Sequence, residues 1–198
     1  ASDPAKTQAR AGADVLINLS ASPFKRGKSR LRERLFSKLA NRLRRPFLYC
    51  NLVGANDELI FDGQSMAFDA RGGLLARGKA FQEDIVMVEL PPARPAVPAP
   101  QPLEDIAELE LALELGLSDY MRKCGFSKAV IGLSGGIDSA LVCALAVKAL
   151  GPGRVTGVSM PSRVSSPGSV TDARRLSHNL GVELLSLPIA PLYDSFVK

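Results

Sequence analysis

The sequence predicts an α/β protein in two parts: a layered α/β part, then part of a doubly wound parallel sheet. Three observations carry this. The segment "PPARPAVPAPQP" at 91–102 holds six prolines in twelve positions, which bars helix and interior strand and favours an extended linker. After it, strand-like and helix-like stretches alternate, the pattern of βαβ crossovers and a parallel sheet. Before it, one helical stretch lies between two strand-like runs and several shorter ones follow. The expected organisation is therefore 1–90, a linker at 91–102, and 103–198.

In the first part "ADVLINL" (13–19) reads as a buried strand, followed by a Ser/Pro/Gly-containing loop over 20–29. Residues 25–45 then carry 10 Lys and Arg against one Glu, and Leu31, Leu35, Leu39 and Leu43 recur every four residues. That spacing predicts an amphipathic helix packed through this leucine stripe, with a solvated basic face. "FLYCNLV" (47–53), "ELIFDG", "SMAFD" and the alternating "DIVMVEL" (84–90) are the further strand candidates, with a turn at "DARGG".

In the second part "LEDIAELELALELGLSDYMRKCG" (103–125) reads as a helix, acidic at its start, basic at its end, and closed by Gly125. "AVIGLS" is a strand, "DSALVCALAVKAL" a helix, and "GPG" a break. "RVTGVSM", "SPGSVTDARRLSHNLG" and "VELLSLPI" follow as strand, capped helix and strand.

The 198 residues suffice for a sizeable core. Net charge is +5, yet outside 25–45 there are 15 basic against 19 acidic residues, so the basic character is local. No nucleic-acid or membrane partner is expected, since a packed basic helix accounts for the charge and Asp138 and Lys148 interrupt the most apolar stretch. Three widely spaced cysteines without a CxxC pair fit a reducing compartment and a cytoplasmic location, and argue against a structural zinc. Cys50, Cys124 and Cys143 all read as core cysteines, and His178 as an exposed helical residue without ligand partners.

The chemistry concentrates in "GLSGGIDS", Gly132 to Ser139. A small-residue loop between a buried strand and a helix lets backbone approach a ligand, and the helix start offers unpaired N–H groups and a positive dipole end. The common phosphate-loop pattern, GxxxxGK followed by Ser or Thr, fails because no lysine follows these glycines. It fails again at Gly27-Lys28-Ser29, since residue 22 is serine. GxGxxG fails on spacing. What remains is SGGxDS. Gly135 and Gly136 would open the backbone to a pyrophosphate, Ser134 and Ser139 would donate hydroxyls, and Asp138 could hold Mg2+.

This pattern resembles that of the pyrophosphate-loop ATPases, whose fold is that of the adenine nucleotide alpha hydrolases and which split ATP between its α- and β-phosphates. The surrounding tract through "MPSRVSSPGSVTDARRLSHNLGVELLSLPI" resembles NAD synthetase. "NLSASPFKRGK" (18–28) and "YCNLVGANDELIFDGQSMAFDARG" (49–72) resemble the C-terminal part of a nitrilase-fold glutaminase. Together they resemble glutamine-dependent NAD synthetase. The resemblance implies ATP and Mg2+ as cofactors, deamido-NAD and glutamine as substrates, and a homo-oligomer at full length. It places Gly132, Leu133, Ser134, Gly135, Gly136, Ile137, Asp138 and Ser139 at ATP, Asp138 at the metal, and Ser22 and Lys28 at glutamine. "MPSRVSSPGSVTDA" (160–173) would lie near adenine and ribose.

The Glu-Lys-Cys triad that the resemblance implies for such a glutaminase falls before Ala1, and the synthetase of this family continues past Lys198. The chain is thus expected to be an internal piece that releases no glutamate from glutamine. Two other readings stay open: an inactive truncated product retaining at most ATP binding, and another adenylating enzyme of the same loop family, such as a tRNA thiolase.

Overall fold

A computed structural model of the chain describes residues 3–91, 103–163 and 165–196. They form two compact units, Ala1–Gly116 and Leu117–Lys198. Residues 92–102, most of the expected linker, lie outside the described residues.

The first unit opens with helix α1 (Pro4–Arg10), where Asp3 caps by accepting the Lys6 N–H at 3.1 Å and Pro4 takes the first turn. That N–H, then the Arg42 guanidinium, holds the Asp3 carboxyl below its usual range against the opposing effect of burial. Strand β1 (Leu16–Ser20) runs parallel to β2 (Phe47–Asn51), with helix α2 (Lys28–Leu43) between them in sequence. Strands β3 (Val53–Asn56) and β4 (Leu59–Asp62) form a separate antiparallel hairpin. Strands β5 (Met66–Phe68) and β6 (Leu74–Arg77) add antiparallel neighbours, giving the sheet order β1-β2-β5-β6.

Helix α2 packs on one face of this sheet. Leu16, Ala40, Phe47, Tyr49, Met66 and Phe68 are buried there, and Phe36, Leu39 and Leu43 pack against them. The expected leucine stripe is only half right. Leu31 and Leu35 are 47% and 54% exposed, and the inward positions on the first two turns are Ser29 and Arg32. A buried polar network takes the space that leucines were expected to fill.

The other sheet face is apolar and open. Ile17, Leu48, Cys50 and Ala67 line a groove of about 890 Å³, with Ile85 and Val86 from the segment after β6. The strand expected over 84–90 is absent: Ile85 and Met87 are each 93% exposed, and the segment pairs with no strand among the described residues. Its alternation turns some side chains to the groove without placing the backbone on a sheet edge.

Helix α3 (Asp105–Lys123) follows the expected charge order, and the division between the units falls within it. Gly125, at φ +72, closes it with Gly125 N–H to Arg122 O and Phe126 N–H to Met121 O.

In the second unit β7 (Ala129–Gly132), β8 (Val155–Ser159) and β9 (Glu183–Ser186) form a parallel sheet in that order. Helix α4 (Ile137–Leu150) and helix α5 (Pro167–Leu180) connect them, and a short α6 (Ala190–Phe196) ends the described chain. Leu133, Cys143, Ala146, Val155, Ala173 and Val182 make the core. Ser166 caps α5 by accepting the Ser169 N–H at 3.1 Å, and Gly181, at φ +66, closes it. Among the described residues no helix is long and apolar enough to cross a membrane.

Candidate nucleotide and glutamine sites

The glycine-rich loop sits where the sequence places it, between the end of β7 and the start of α4. Leu133 anchors it, buried in the core with its N–H donating to Val158 O at 2.7 Å. Gly135 then turns the chain at φ +84, where any Cβ would stand 2.6 Å from Ser169 Cα on α5. Glycine is required there by conformation and by space. Gly136 differs. It is the N-cap of α4 at φ −88 and ψ 162, and an added Cβ would meet only Ser134 Oγ at 3.4 Å.

Two serines staple the loop. Ser139 Oγ donates to Gly136 O at 3.0 Å and accepts the Ser134 N–H at 3.3 Å, while Ser134 Oγ accepts the Gly136 N–H at 3.3 Å. The two hydroxyl oxygens lie 3.1 Å apart. Asp138, in the first turn of α4, is exposed, and its carboxylate makes no hydrogen bond or ion pair among the described residues. The first amides of α4 have no intrahelical acceptor, so the loop presents N–H groups, two hydroxyls and one free carboxylate together. A hollow of about 340 Å³ lies beside it, lined by Ile137, Ser139 and, on α5, Asp172, Arg175 and Asn179. Asp172 belongs to the segment 160–173 that the resemblance places near adenine and ribose, whereas Arg175 and Asn179 lie beyond it and carry no motif of their own.

Among the described residues no three His, Cys, Asp or Glu side chains cluster as a metal site. A lone carboxylate beside a loop of free N–H groups is the kind of donor Mg2+ uses, since that ion keeps most of its waters and takes few protein ligands. Asp138 is the residue that fits.

In the first unit Ser22 and Lys28 come together. Lys28 Nζ donates to Pro23 O at 2.9 Å, the carbonyl next along from Ser22. The Ser22 N–H donates to Asn51 Oδ1 at 2.9 Å, and the Phe24 N–H to Ile60 O at 2.6 Å. The loop carrying both residues is therefore tied at three points to the β2–β4 region and to α2.

Beneath it lies the polar network. Arg32, 4% exposed, forks onto Asp62, 1% exposed, at 3.1 and 2.7 Å. Asp62 also accepts from Gln64 Nε2 at 3.2 Å and Asn51 Nδ2 at 3.4 Å. Ser29 Oγ donates to Gln64 Oε1 at 2.6 Å, Gln64 Nε2 reaches Glu108 at 3.2 Å, and Arg77 pairs with Glu33 at 2.5 Å. Burial pushes the neighbouring Tyr49 phenol above its usual range, with the Arg32 charge acting the other way.

The cysteines divide. Cys143 is buried, and that burial raises its thiol pKa. Cys50 and Cys124 are exposed, contrary to the expectation of core cysteines. In β2 the inward residues are Phe47, Tyr49 and Asn51, so Cys50 points to the open groove. Cys124 follows the last turn of α3, outside the packed face. His178 is exposed in the last turn of α5, as expected.

Comparison with known proteins bears on both halves. Residues 4–96 match the family model of carbon-nitrogen hydrolase, and residues 110–198 that of NAD synthase. The glutamine-dependent NAD(+) synthetase of Synechocystis is 46% identical over 189 residues, 93% of this chain and 34% of that protein. Its counterpart in Thermotoga maritima is 39% identical over 223 residues, 94% of this chain and 38% of that protein. The structure of the Acinetobacter baumannii enzyme in complex with ADP superposes with a TM-score of 0.89 at 34% identity, over 97% of this chain and 37% of that one.

A carbon-nitrogen hydrolase segment joined in one chain to an NAD synthase segment defines the class. The chain belongs to the glutamine-dependent NAD(+) synthetase family, whose members are ligases, and it spans about a third of the length of the curated relatives it matches.

Proposed function

We propose that this chain carries the ATP-binding loop and part of the glutamine-binding loop of a glutamine-dependent NAD synthetase. The observation that carries the proposal is the loop from Gly132 to Ser139, with its close-packed Gly135, its stapled serines and its unpaired Asp138. Gly132, Leu133 and Ile137 shape the loop. Gly135, Gly136, Ser134 and Ser139 bind the phosphates of ATP. Asp138 holds Mg2+, which when bound offsets the charge of the departing pyrophosphate. Ser22 and Lys28 contact glutamine.

In the whole protein the nicotinate carboxylate of deamido-NAD is adenylated by ATP, and ammonia released from glutamine displaces AMP to give NAD. The boundaries that suit this division are a glutaminase part over 1–90, a linker over 91–102 and a synthetase part over 103–198. Exposed Ile137, Leu141 and Val142 on α4 support a homo-oligomer at full length, and the unpaired cysteines support a cytoplasmic location. The test is isothermal titration of the chain with Mg-ATP. Saturable binding lost in Asp138→Asn supports the reading, and binding unchanged in that variant removes Asp138 from the site.

A further inference from the structure

The polar network under the first unit has a feature that core packing does not require. Its outermost member, Asn51, is buried and reaches the loop that carries Ser22. Its amide nitrogen faces Gly63 O at 3.1 Å and Asp62 Oδ1 at 3.4 Å, both acceptors. Two acceptors on that side oblige the Asn51 side chain to present its nitrogen there and its oxygen to the Ser22 N–H. The chain of contacts then runs from the Arg32–Asp62 fork, through the Asn51 amide, to the Ser22 backbone at 2.9 Å. Asn51 is itself held, its own N–H donating to Ser65 Oγ at 3.0 Å.

We infer that Asn51 is a positioning residue for the glutamine site, fixing the Ser22 backbone so that the Ser22 side chain meets the substrate. The inference rests on the proposed glutamine contact of Ser22. Gly63 O and Asp62 together supply the asymmetry that sets the orientation of the Asn51 amide, and the buried two-point fork from Arg32 holds the Asp62 carboxylate in place. Lys28 secures the next peptide through Pro23 O, so two side chains from different elements fix successive residues of one short loop. Displacing a substrate-contacting group by about 1 Å costs on the order of 100-fold in rate, so loss of this hold is measurable.

The experiment uses the protein at full family length and compares Asn51→Ala, Ser22→Ala and the double variant. Each is assayed for NAD formation with glutamine and, separately, with ammonia. The ammonia reaction of the unaltered protein tests the functional reading itself, because its absence overturns that reading whatever Asn51 does. Given that reaction, Asn51→Ala raises the glutamine KM by about 10-fold or more and leaves the ammonia-dependent rate within about 2-fold. In the Ser22→Ala background the same change adds less than about 2-fold, because the contact it would misplace is already gone. An unchanged glutamine KM, an equal fall with both nitrogen donors, or effects that multiply in the double variant each overturn the inference. Should Asn51→Ala fail to fold, Asn51→Ser keeps a neutral hydrogen-bonding side chain in the buried site, is too short to hold the Ser22 N–H, and carries the same two expectations.

Discussion

Gly135 and Gly136 are adjacent and look equivalent in the sequence, yet alanine at each has a different predicted consequence. At Gly135 the backbone is left-handed at φ +84, and a Cβ would lie 2.6 Å from Ser169 Cα and 2.8 Å from Ser169 C, besides crowding Ser169 O. Left-handed backbone costs an alanine about 1–2 kcal/mol, and overpacking adds about 1–3 kcal/mol. Gly135→Ala should therefore destabilise the second unit by about 2–5 kcal/mol, or at least ~8 °C in Tm at about 4–8 °C per kcal/mol for a unit of this size. At Gly136, φ −88 suits any residue and the nearest atom to an added Cβ is 3.4 Å away. Gly136→Ala should shift Tm little in either direction, since the gain of about 0.4–1 kcal/mol through the unfolded state is offset by the poorer fit of alanine at an N-cap.

The fold therefore demands glycine at 135, whereas at 136 it gives only the mild N-cap preference for glycine over alanine, and a ligand approaching the backbone is the stronger reason. Saturating Mg-ATP at about 100 times its Kd stabilises by about 2.7 kcal/mol. Gly136→Ala should lose that thermal shift while keeping its unliganded Tm, as read by differential scanning fluorimetry with and without nucleotide. Full nucleotide protection in Gly136→Ala, or a Tm loss matching that of Gly135→Ala, refutes the reasoning.

Three further predictions concern other parts of the molecule. Asp62→Ala strands the Arg32 charge in a buried site and should cost about 3–5 kcal/mol in urea unfolding of the first unit, whereas a loss under about 1 kcal/mol means the pair is not buried as described. With a maleimide near neutral pH, Cys50 and Cys124 should react readily and Cys143 only after unfolding, because burial both shields its thiol and raises its pKa. The stability contributed by neutral Cys143 is present below the thiol's unfolded pKa and lost as pH rises through its raised folded value, so native labelling at Cys143 should stay slow until alkaline pH. Asp138→Asn should leave Tm of the free chain unchanged and shrink the Mg-ATP shift, and an undiminished shift would exclude the carboxylate from metal binding.

The second unit was legible because its punctuation is local. Gly125 and Gly181 close helices at the residues the sequence marks, and strand–loop–helix order places Gly132 to Ser139 without knowledge of any distant contact. The polar network was not legible, because Arg32 and Asp62 are thirty residues apart and each looks like ordinary surface charge. That network also explains the failed leucine stripe, since the first turns of α2 turn Ser29 and Arg32 inward in place of Leu31 and Leu35. Cys50 was misjudged because "FLYCNLV" is apolar on both faces, so period-two alternation could not say which face meets α2. Helix α1 carries a local start signal, Asp3 followed by Pro4, but at seven residues it is too short to show an apolar period. "DIVMVEL" shows the reverse error, an alternating run with no strand to pair with.

The central claim is that the Gly132–Ser139 loop holds ATP for attack at its α-phosphate. It is tested most directly in the full-length protein with deamido-NAD, ATP and ammonia, by quantifying the nucleotide and phosphate products by ion-exchange chromatography. AMP and pyrophosphate should form in equal amounts with NAD, and both should be abolished in Gly136→Ala. Release of ADP and orthophosphate, or NAD formation that persists in Gly136→Ala, would contradict it.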